Sequence, residues 1–415
     1  MIQTRKLRAC FGWCGCLLGA MAVTFAWSVE GMGAESRVIA QDVQSKQWYL
    51  GPMHVEEMWK IATGEGVKVA VIDSGVNPST PSLEGRVLKG FDATGADGDE
   101  YDDYDGHGTS MAELIAGSGN EGGLQGLAPD SKIIPFRVTD TEFQNTHSVN
   151  ARDNEDAILA AADSGAKIIS MSVGSDFPGQ GEREAVKYAE RKGKLFFAAV
   201  GNNSETGNRE QYPASYPQVV GVAATDSAGR VSSYSQHGSS VDIAAPGDNI
   251  PTWCDANFQH YCDSGGGTSQ ATAITSAAAA LIWSAHPEWT ANQVLNVLFD
   301  TAGRGDWEKG TLSNYLGHGI IRPAVNILKG EGNPGAPDIS PLTKERTSGP
   351  EASPAASVSG ASRSGKKGNS GDAGAEDSSR EKGDGGPLGL IVGGAAAVVV
   401  IVGGSFVFVR NRRTT

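Results

Sequence analysis

The chain has 415 residues, more than one ordinary globular domain needs unless some of its segments are not globular. Its 48 acidic residues outnumber its 34 basic residues, which gives a formal net charge of −14. This balance argues against a nucleic-acid-binding function, because affinity for phosphate requires a basic surface.

The N-terminus has the pattern of a secretory signal peptide. Basic residues stand at positions 5, 6 and 8, and a mostly apolar run follows as far as Val29. Small residues before position 34 predict cleavage after Gly33, so that residues 1–33 are removed. An uncleaved N-terminal anchor is the alternative interpretation.

A second apolar stretch lies near the C-terminus and contains no charged residue from Leu388 to Val409. About 20 apolar residues span a bilayer, so residues 387–409 are predicted to form a transmembrane helix. The last residues, 410–415, are basic and are expected to stay in the cytoplasm. The predicted localisation is the cell membrane, with a single span and the bulk of the chain on the extracytoplasmic side.

Residues 330–386 are rich in Gly, Ser, Pro, Ala and charged residues. Such a segment has little apolar surface to bury and is predicted to be a flexible, disordered linker. The residues between the signal peptide and this linker are numerous enough to form one large hydrophobic core.

Two of the five cysteines are expected in the exported part of the chain, since the other three fall within the predicted signal peptide. Cys254 and Cys262 lie close together in sequence, and a disulfide is the natural state of such a pair outside the cell. The bond would close the loop that precedes Ser269. Two free thiols are the alternative.

Short apolar runs alternate with helical stretches through the middle of the chain. Two of the helical stretches, 150–165 and 182–193, carry a glycine near their ends, as helices commonly do. This alternation predicts an α/β fold, a mainly parallel sheet with helices on both faces. The functional groups of such a sheet belong at the carboxyl ends of its strands. The predicted strands are 67–73, 133–138, 167–173, 194–200 and 219–224. The predicted helices are 150–165, 182–193 and 269–287.

Four polar residues occupy positions typical of function in such a sheet. Asp73 ends the first strand before a glycine turn, and Asn202 follows the strand that ends at Val200. His107 stands between two glycines in DGHGT. Ser269 follows three glycines and a threonine and begins a buried helix, whose dipole favours developing negative charge. Taken singly, Asp73 could be a turn cap, Asn202 a turn asparagine and Ser269 a helix N-cap.

Together, and in this order, the four residues and their neighbours resemble the subtilases, the subtilisin-like serine proteases. The motifs that carry the resemblance are VAVIDSGV, DGHGTSMA, AAVGNN and GGGTSQATA. The resemblance covers residues 64–329, which we predict to be the catalytic domain. Residues 34–63 are then an N-terminal extension, too short for the large folding pro-domain of secreted subtilisins, and are expected to wrap over the catalytic domain.

The resemblance implies that an Asp–His–Ser triad hydrolyses peptide bonds. Ser269 attacks the carbonyl, His107 takes and returns the proton, and Asp73 orients His107. Asn202 and the Ser269 N–H bind the oxyanion. This chemistry requires neither a metal nor another cofactor. The resemblance also implies two groups of substrate-binding residues, one pairing with the substrate as an added strand and one lining the pocket before the cut: Ser172, Val173 and Gly174, and Ala199, Val200 and Gly201.

The layout of an exported subtilase domain, a linker and a membrane helix resembles the mycosins, the membrane-anchored proteases of type VII secretion in actinobacteria. The resemblance implies a membrane-tethered endopeptidase that processes exported proteins or supports a type VII secretion system. Its partners would be protein substrates and components of the secretion membrane complex. The alternatives are a mainly structural subunit of that complex and a general cell-surface protease.

The chain departs from the common subtilase pattern at three positions. Gln270 and Ala273 stand where many relatives have methionine and proline, and Glu113 stands where many have glycine. Glu113 either lies against packed structure or changes the pH dependence or the activity. The acidic stretch DGDEYDDYDG before His107 raises the question of calcium, which prefers carboxylate clusters. Its spacing fits no calcium loop, and a solvated acidic loop is the alternative.

Overall fold

The computed structural model describes residues 43–150, 152–263 and 265–347. Among these residues, no helix is both long and apolar enough to cross a membrane. The predicted segments that lie outside them are the signal peptide, most of the linker, the transmembrane helix and the basic tail, at residues 1–33, 348–386, 387–409 and 410–415.

A seven-stranded sheet lies at the centre of the described part of the chain, and all of its strands are parallel. Its order is β2-β3-β1-β4-β5-β6-β7. Because β1 has β3 on one side and β4 on the other, the order reverses there, and a crevice opens beyond its carboxyl end. The strands are β1 Lys68–Asp73, β2 Phe91–Asp92, β3 Lys132–Arg137, β4 Ile168–Met171, β5 Leu195–Ala199, β6 Val220–Thr225 and β7 Ile243–Pro246.

An antiparallel pair of two-residue strands, β8 Thr252–Trp253 and β9 Tyr261–Cys262, forms a separate hairpin. A 3₁₀ turn spans Asn120–Gly122. The predicted strands and helices are all present, with small shifts at their ends. The helices are α1 Val55–Met58, α2 His107–Ala116, α3 Thr141–His147, α4 Asp153–Asp163, α5 Gln180–Arg191, α6 Thr268–Ala285, α7 Ala291–Thr301 and α8 Pro323–Lys329.

Two hydrophobic cores cover the two faces of the sheet. Alternate residues of β1 divide between them, because successive side chains of a strand point to opposite faces. Val69 and Val71 join the core formed with α2, α6 and α7, whereas Ala70 and Ile72 join the core formed with α4 and α5. A strand buried on both faces reads as a continuous apolar run. The predicted α/β fold with a mainly parallel sheet is confirmed.

Helix α6 is the central helix of the first core. Residues Thr268–Trp283 are all buried, as expected for a helix that is apolar nearly all round. Four consecutive alanines at positions 277–280 allow the helix to lie close to its neighbours. The helix continues without a break through Ala273, where many relatives carry proline. It presents Ser269 in its first turn.

The segment that precedes the first strand packs against the rest of the domain. Tyr49 and Met58 are fully buried in the first core. The Trp48 indole N–H donates to the Asp248 carbonyl at 3.0 Å, and the Gln47 amide donates to the Gln125 carbonyl at 2.8 Å. From residue 43 onwards, the N-terminal extension is therefore a structural part of the domain.

The beginning of the predicted linker is ordered, which corrects the expectation for residues 330–347. The Asn296 amide on α7 donates to the Pro334 carbonyl at 3.0 Å, and the Asn292 amide donates to the Thr347 hydroxyl at 2.8 Å. Ser340 is buried. The segment is held by these hydrogen bonds and by Leu342, which packs against the first core. Its overall composition gave no sign of this order.

A buried arginine at the end of β3 holds the loop that leads to His107. Arg137 pairs with Asp92 through two hydrogen bonds, Nε to Oδ1 at 3.0 Å and Nη2 to Oδ2 at 2.9 Å. The same guanidinium donates to the carbonyls of Asp97 and Asp102, at 3.0 and 3.2 Å. Only 2 % of the Arg137 side chain is exposed, so the pair is shielded from solvent.

We predict that Arg137→Ala lowers the free energy of unfolding by about 3 kcal/mol or more, because it leaves a carboxylate and two carbonyls without their partner. Denaturant unfolding followed by circular dichroism measures the change. The control is Arg230→Ala, which breaks the exposed pair with Asp226 and should cost less than about 1 kcal/mol. Equal losses in the two variants would contradict the structural role of Arg137.

Candidate active site

The crevice at the end of β1 brings an aspartate and a histidine into contact. His107 Nδ1 lies 2.7 Å from Asp73 Oδ1. The same oxygen accepts a hydrogen bond from the Ser74 backbone N–H at 2.8 Å. Because a carboxylate accepts, the Nδ1 proton of a neutral His107 faces Asp73, and Nε2 is left free to act as a base. Asp73 is almost fully buried, whereas 30 % of the His107 side chain is exposed.

Close packing fixes the relation between β1 and α2. A Cβ atom at Gly108 would lie 2.1 Å from the Gly75 carbonyl oxygen and 3.0 Å from the Asp73 Cβ. Only glycine therefore permits the first turn of α2 to approach the end of β1 so closely. The glycine that follows His107 in the sequence is explained by this contact.

The buried carboxylate of Asp103 organises the start of α2. Its Oδ1 accepts hydrogen bonds from the Ser74 hydroxyl at 2.7 Å and the Gly106 N–H at 2.8 Å. Its Oδ2 accepts from the Thr109 N–H at 2.8 Å and from the Thr109 hydroxyl. Sequence reasoning missed this residue, although an acidic residue shortly before a helix is a common signal of capping.

The first turn of α6 carries the candidate nucleophile. Ser269 is 7 % exposed, and its hydroxyl donates to the Ser172 carbonyl at 3.3 Å. The Ser172 hydroxyl in turn donates to the Ser269 carbonyl at 3.4 Å. Among the described residues, Ser269 makes no hydrogen bond to His107. Catalytic hydrogen bonds are often loose in free enzymes and form when substrate binds.

An amide side chain lies beside this turn and is held by its oxygen. Asn202 Oδ1 accepts hydrogen bonds from the Thr268 N–H at 2.8 Å and the Thr268 hydroxyl at 3.0 Å. The Gly201 N–H donates to the same hydroxyl at 3.1 Å. Asn202 Nδ2 has no partner within the part of the chain that the structure describes, so it is free to donate to a bound molecule.

The predicted substrate-binding residues fall into different environments. Val173 and Gly174 line a cleft of about 990 Å³ together with residues at the starts of α3, α4 and α5. Gly174 is exposed, and its backbone groups make no hydrogen bond to any described residue. Ala199 is partly exposed, whereas Val200 is buried in the second core, so any contact of Val200 with substrate must use its backbone.

The predicted disulfide between Cys254 and Cys262 is present, with the two Cα atoms 5.0 Å apart. It joins β8 to β9 and closes the hairpin. The Trp253 backbone N–H of this hairpin donates to the Ser110 hydroxyl of α2 at 2.9 Å. The hairpin is therefore attached to the helix that begins at His107.

Glu113 packs in the interior, the first of the two predicted alternatives. It is fully buried on α2, and the Tyr261 hydroxyl donates to its Oε2 at 2.7 Å. Burial raises the pKa of the Glu113 carboxyl to about 7, against smaller lowering effects from Tyr261, Thr80 and Trp253. An ionisable group that titrates near neutral pH therefore joins α2 to the hairpin.

The acidic loop does not fit a calcium ion. Calcium requires six to eight oxygen ligands, whereas both oxygens of Asp103 already accept protein hydrogen bonds. Asp99 Oδ1 and Asp102 Oδ2 each accept a backbone N–H of the same loop. The guanidinium of Arg137 supplies positive charge between the loop carbonyls. In residues 43–347, apart from the two undescribed positions, no cluster of metal-ligating side chains occurs.

A parallel α/β sheet with an Asp–His pair at one strand end and a serine at the start of a buried helix defines a site of the serine-hydrolase class. The chain belongs to the subtilase family, whose model matches residues 64–319. The predicted enzyme class, a subtilisin-like serine endopeptidase, is that of this family.

Two curated relatives show the extent of the similarity. Thermitase from Thermoactinomyces vulgaris is 36% identical over 277 residues, which cover 64% of this chain and 94% of thermitase. The thermophilic serine proteinase from Bacillus sp. (strain AK1) is 37% identical over 245 residues, which cover 58% of this chain and 59% of that protein. The chain therefore spans somewhat more than half of the length of the second relative.

Two solved structures confirm the resemblance to the mycosins. The MycP3 protease from the type VII (ESX-3) secretion system is 30% identical with a TM-score of 0.55, covering 67% of this chain and 87% of that one. MycP1 from Mycobacterium smegmatis is 27% identical with a TM-score of 0.58, covering 72% and 88%.

We predict that Glu113→Gln reduces the pH dependence of stability. The folded-state pKa of about 7 exceeds the usual 4.5, so the stabilising effect of protonation is complete below pH 4.5 and is lost as the pH rises through 7. The wild type should lose about 3 kcal/mol of unfolding free energy across this window relative to the variant. Thermal melts at pH 5 and pH 8 measure the difference. Glu288→Gln, at an exposed position, is the control, and equal pH slopes in Glu113→Gln and the wild type would refute the prediction.

We predict a pH–rate profile governed by His107. Burial lowers the pKa of His107, but the charge and hydrogen bond of Asp73 outweigh burial and raise the pKa above its usual 6.5. The base must be neutral, so kcat/KM should rise with pH to a midpoint above 6.5. In Asp73→Asn the midpoint should fall and kcat should drop roughly 10⁴-fold. An unchanged midpoint in that variant, measured with a peptide substrate, would rule out the effect of Asp73 on the pKa of His107.

Proposed function

We propose that the protein is a membrane-tethered serine endopeptidase that hydrolyses peptide bonds through Asp73, His107 and Ser269. The observation that supports this most directly is the 2.7 Å contact between Asp73 and His107 at the end of β1. The amide of Asn202, held beside the serine by Thr268, adds a donor for an oxyanion. Membership of the subtilase family gives the same reaction class.

The reaction begins when substrate binds and Ser269 Oγ leaves the Ser172 carbonyl to face His107 Nε2. Oγ attacks the peptide carbonyl carbon while Nε2 takes its proton, and Asp73 stabilises the imidazolium. The carbonyl oxygen becomes an oxyanion and accepts hydrogen bonds from Asn202 Nδ2 and the Ser269 N–H. Nε2 then protonates the leaving amine, which departs and leaves an acyl-enzyme. Water, activated by His107, hydrolyses that ester and restores the serine.

The cleft beside β4 is the proposed binding site for an extended peptide. Gly174 offers unpaired backbone groups on one side of it, as strand addition requires. A main-chain binding mode of this kind accepts many sequences and is suited to protein substrates. Ala199, Val200 and Gly201 then face the residue before the cut through their backbone.

The proposed setting is the outer face of the cytoplasmic membrane, in support of a type VII secretion system. The structural similarity to the MycP3 protease supports this setting, as do the predicted signal peptide and transmembrane helix. The substrates would be exported proteins, and the partners would be components of the secretion complex. A general cell-surface protease and a mainly structural subunit are the two alternatives.

The experiment that tests the proposed activity is labelling of the full-length protein with a fluorophosphonate probe, which reacts with activated serines. The wild type should be labelled and Ser269→Ala should not. Asn202→Ala should be labelled about 10²–10³ times more slowly, because one oxyanion donor is lost.

The matched control is Ser276→Ala, which removes a buried hydroxyl two turns further along α6 and should be labelled like the wild type. A folded wild-type protein that is not labelled would contradict the proposal and favour the structural subunit.

A further inference from the structure

A buried amide next to the candidate nucleophile has no partner. Gln270 follows Ser269 in the first turn of α6 and is 6 % exposed. Its Oε1 is inaccessible to solvent and accepts no hydrogen bond from any described residue. Burying an amide oxygen without a partner costs free energy that an apolar side chain of the same size would avoid. This cost indicates that the Gln270 amide has a function at this position.

The amide of Gln270 lies close to the amide of Asn202. A Cβ atom at Gly267 would lie 2.8 Å from Gln270 Oε1 and 3.2 Å from Asn202 Nδ2. The two groups thus border the same point, and the missing side chain of Gly267 leaves the space between them open. No hydrogen bond joins the two amides in the free protein, since neither Gln270 Oε1 nor Asn202 Nδ2 has a partner there among the described residues.

The hydrogen-bonding capacity of Asn202 leaves a place for this oxygen. Its Oδ1 is fully engaged by Thr268, whereas its Nδ2 carries two hydrogens and has no partner within the described residues. An oxyanion takes one of these hydrogens. The second is then available to another acceptor, and Gln270 Oε1, which also borders the Gly267 position, is an acceptor that is otherwise unused.

We propose that Gln270 is a positioning residue for Asn202. As the oxyanion forms, Gln270 Oε1 accepts the second Nδ2 hydrogen of Asn202 and keeps the first one directed at the oxyanion. The contact is absent in the free protein and is made during the reaction, so its benefit falls on kcat rather than on KM. The inference rests on the proposed peptidase function and adds to it a residue at which the chain departs from the common subtilase pattern.

The test compares Gln270→Met with the wild type in the full-length protein. Methionine has a similar length and no amide. We expect kcat for a peptide substrate to fall about 3- to 10-fold with KM unchanged, as for loss of one neutral hydrogen bond. We also expect the thermal midpoint to rise by about 2 °C, because an unpaired buried oxygen is removed. A residue with a merely structural role would not combine a more stable protein with a lower kcat.

A double-mutant cycle tests whether Gln270 acts through Asn202. In the Asn202→Ala background, Gln270→Met should cause no further loss of kcat. If Gln270→Met does not fold, Gln270→Ala serves in the same cycle. An unchanged kcat in the single variant, an equal loss in both backgrounds, or a lowered midpoint in Gln270→Met would each overturn the inference.

The wild type and Ser269→Ala separate this inference from the proposed function. A wild type no more active than Ser269→Ala would overturn the peptidase function and the role of Gln270 with it. An active wild type whose kcat is insensitive to Gln270→Met would overturn the role of Gln270 alone.

Discussion

The hydrogen bond between the buried Asp73 carboxylate and His107 is the contact on which the arrangement of the domain depends. A carboxylate that is only 1 % exposed is costly unless it has a charged or hydrogen-bonding partner. The partner must come from the start of α2, so β1 and α2 have to meet at close range. Gly108 permits that approach, and Asp103 holds the loop between them by bonding to Ser74 and to the first turn of α2.

The remaining parts of the site are built on the same edge of the sheet. Helix α6 begins beside the end of β4, with Ser269 in its first turn, and then crosses the first core. Asn202 follows β5 and is held by hydrogen bonds from Thr268. A single parallel sheet therefore positions Asp73, Asn202 and the peptide-binding segment after β4 at one edge. Arg137, at the same edge, holds the loop that leads to α2, and Glu113, within α2, holds the hairpin.

Sequence reasoning reached the central strands because residues buried on both faces leave continuous apolar runs. Of the helices it predicted α4, α5 and α6, but not α2 or α7. It missed β2 and the β8–β9 hairpin, whose two-residue strands carry no periodicity, and also the four-residue edge strand β7. It identified Asp73, His107, Asn202 and Ser269 from local glycine settings and motif order. It did not find the partners of Glu113 and Arg137, because Tyr261 and Asp92 lie 148 and 45 residues away and meet them only in the folded chain.

The central claim is that Asp73 and His107 activate Ser269 while Asn202 stabilises the charge that develops. A crystal structure of the protein after reaction with a fluorophosphonate tests this most directly, since the adduct resembles the tetrahedral intermediate. The account predicts phosphorus bonded to Ser269 Oγ and the phosphoryl oxygen about 3 Å from Asn202 Nδ2 and the Ser269 N–H. Phosphorus on another residue, or a phosphoryl oxygen turned away from Asn202, would contradict it.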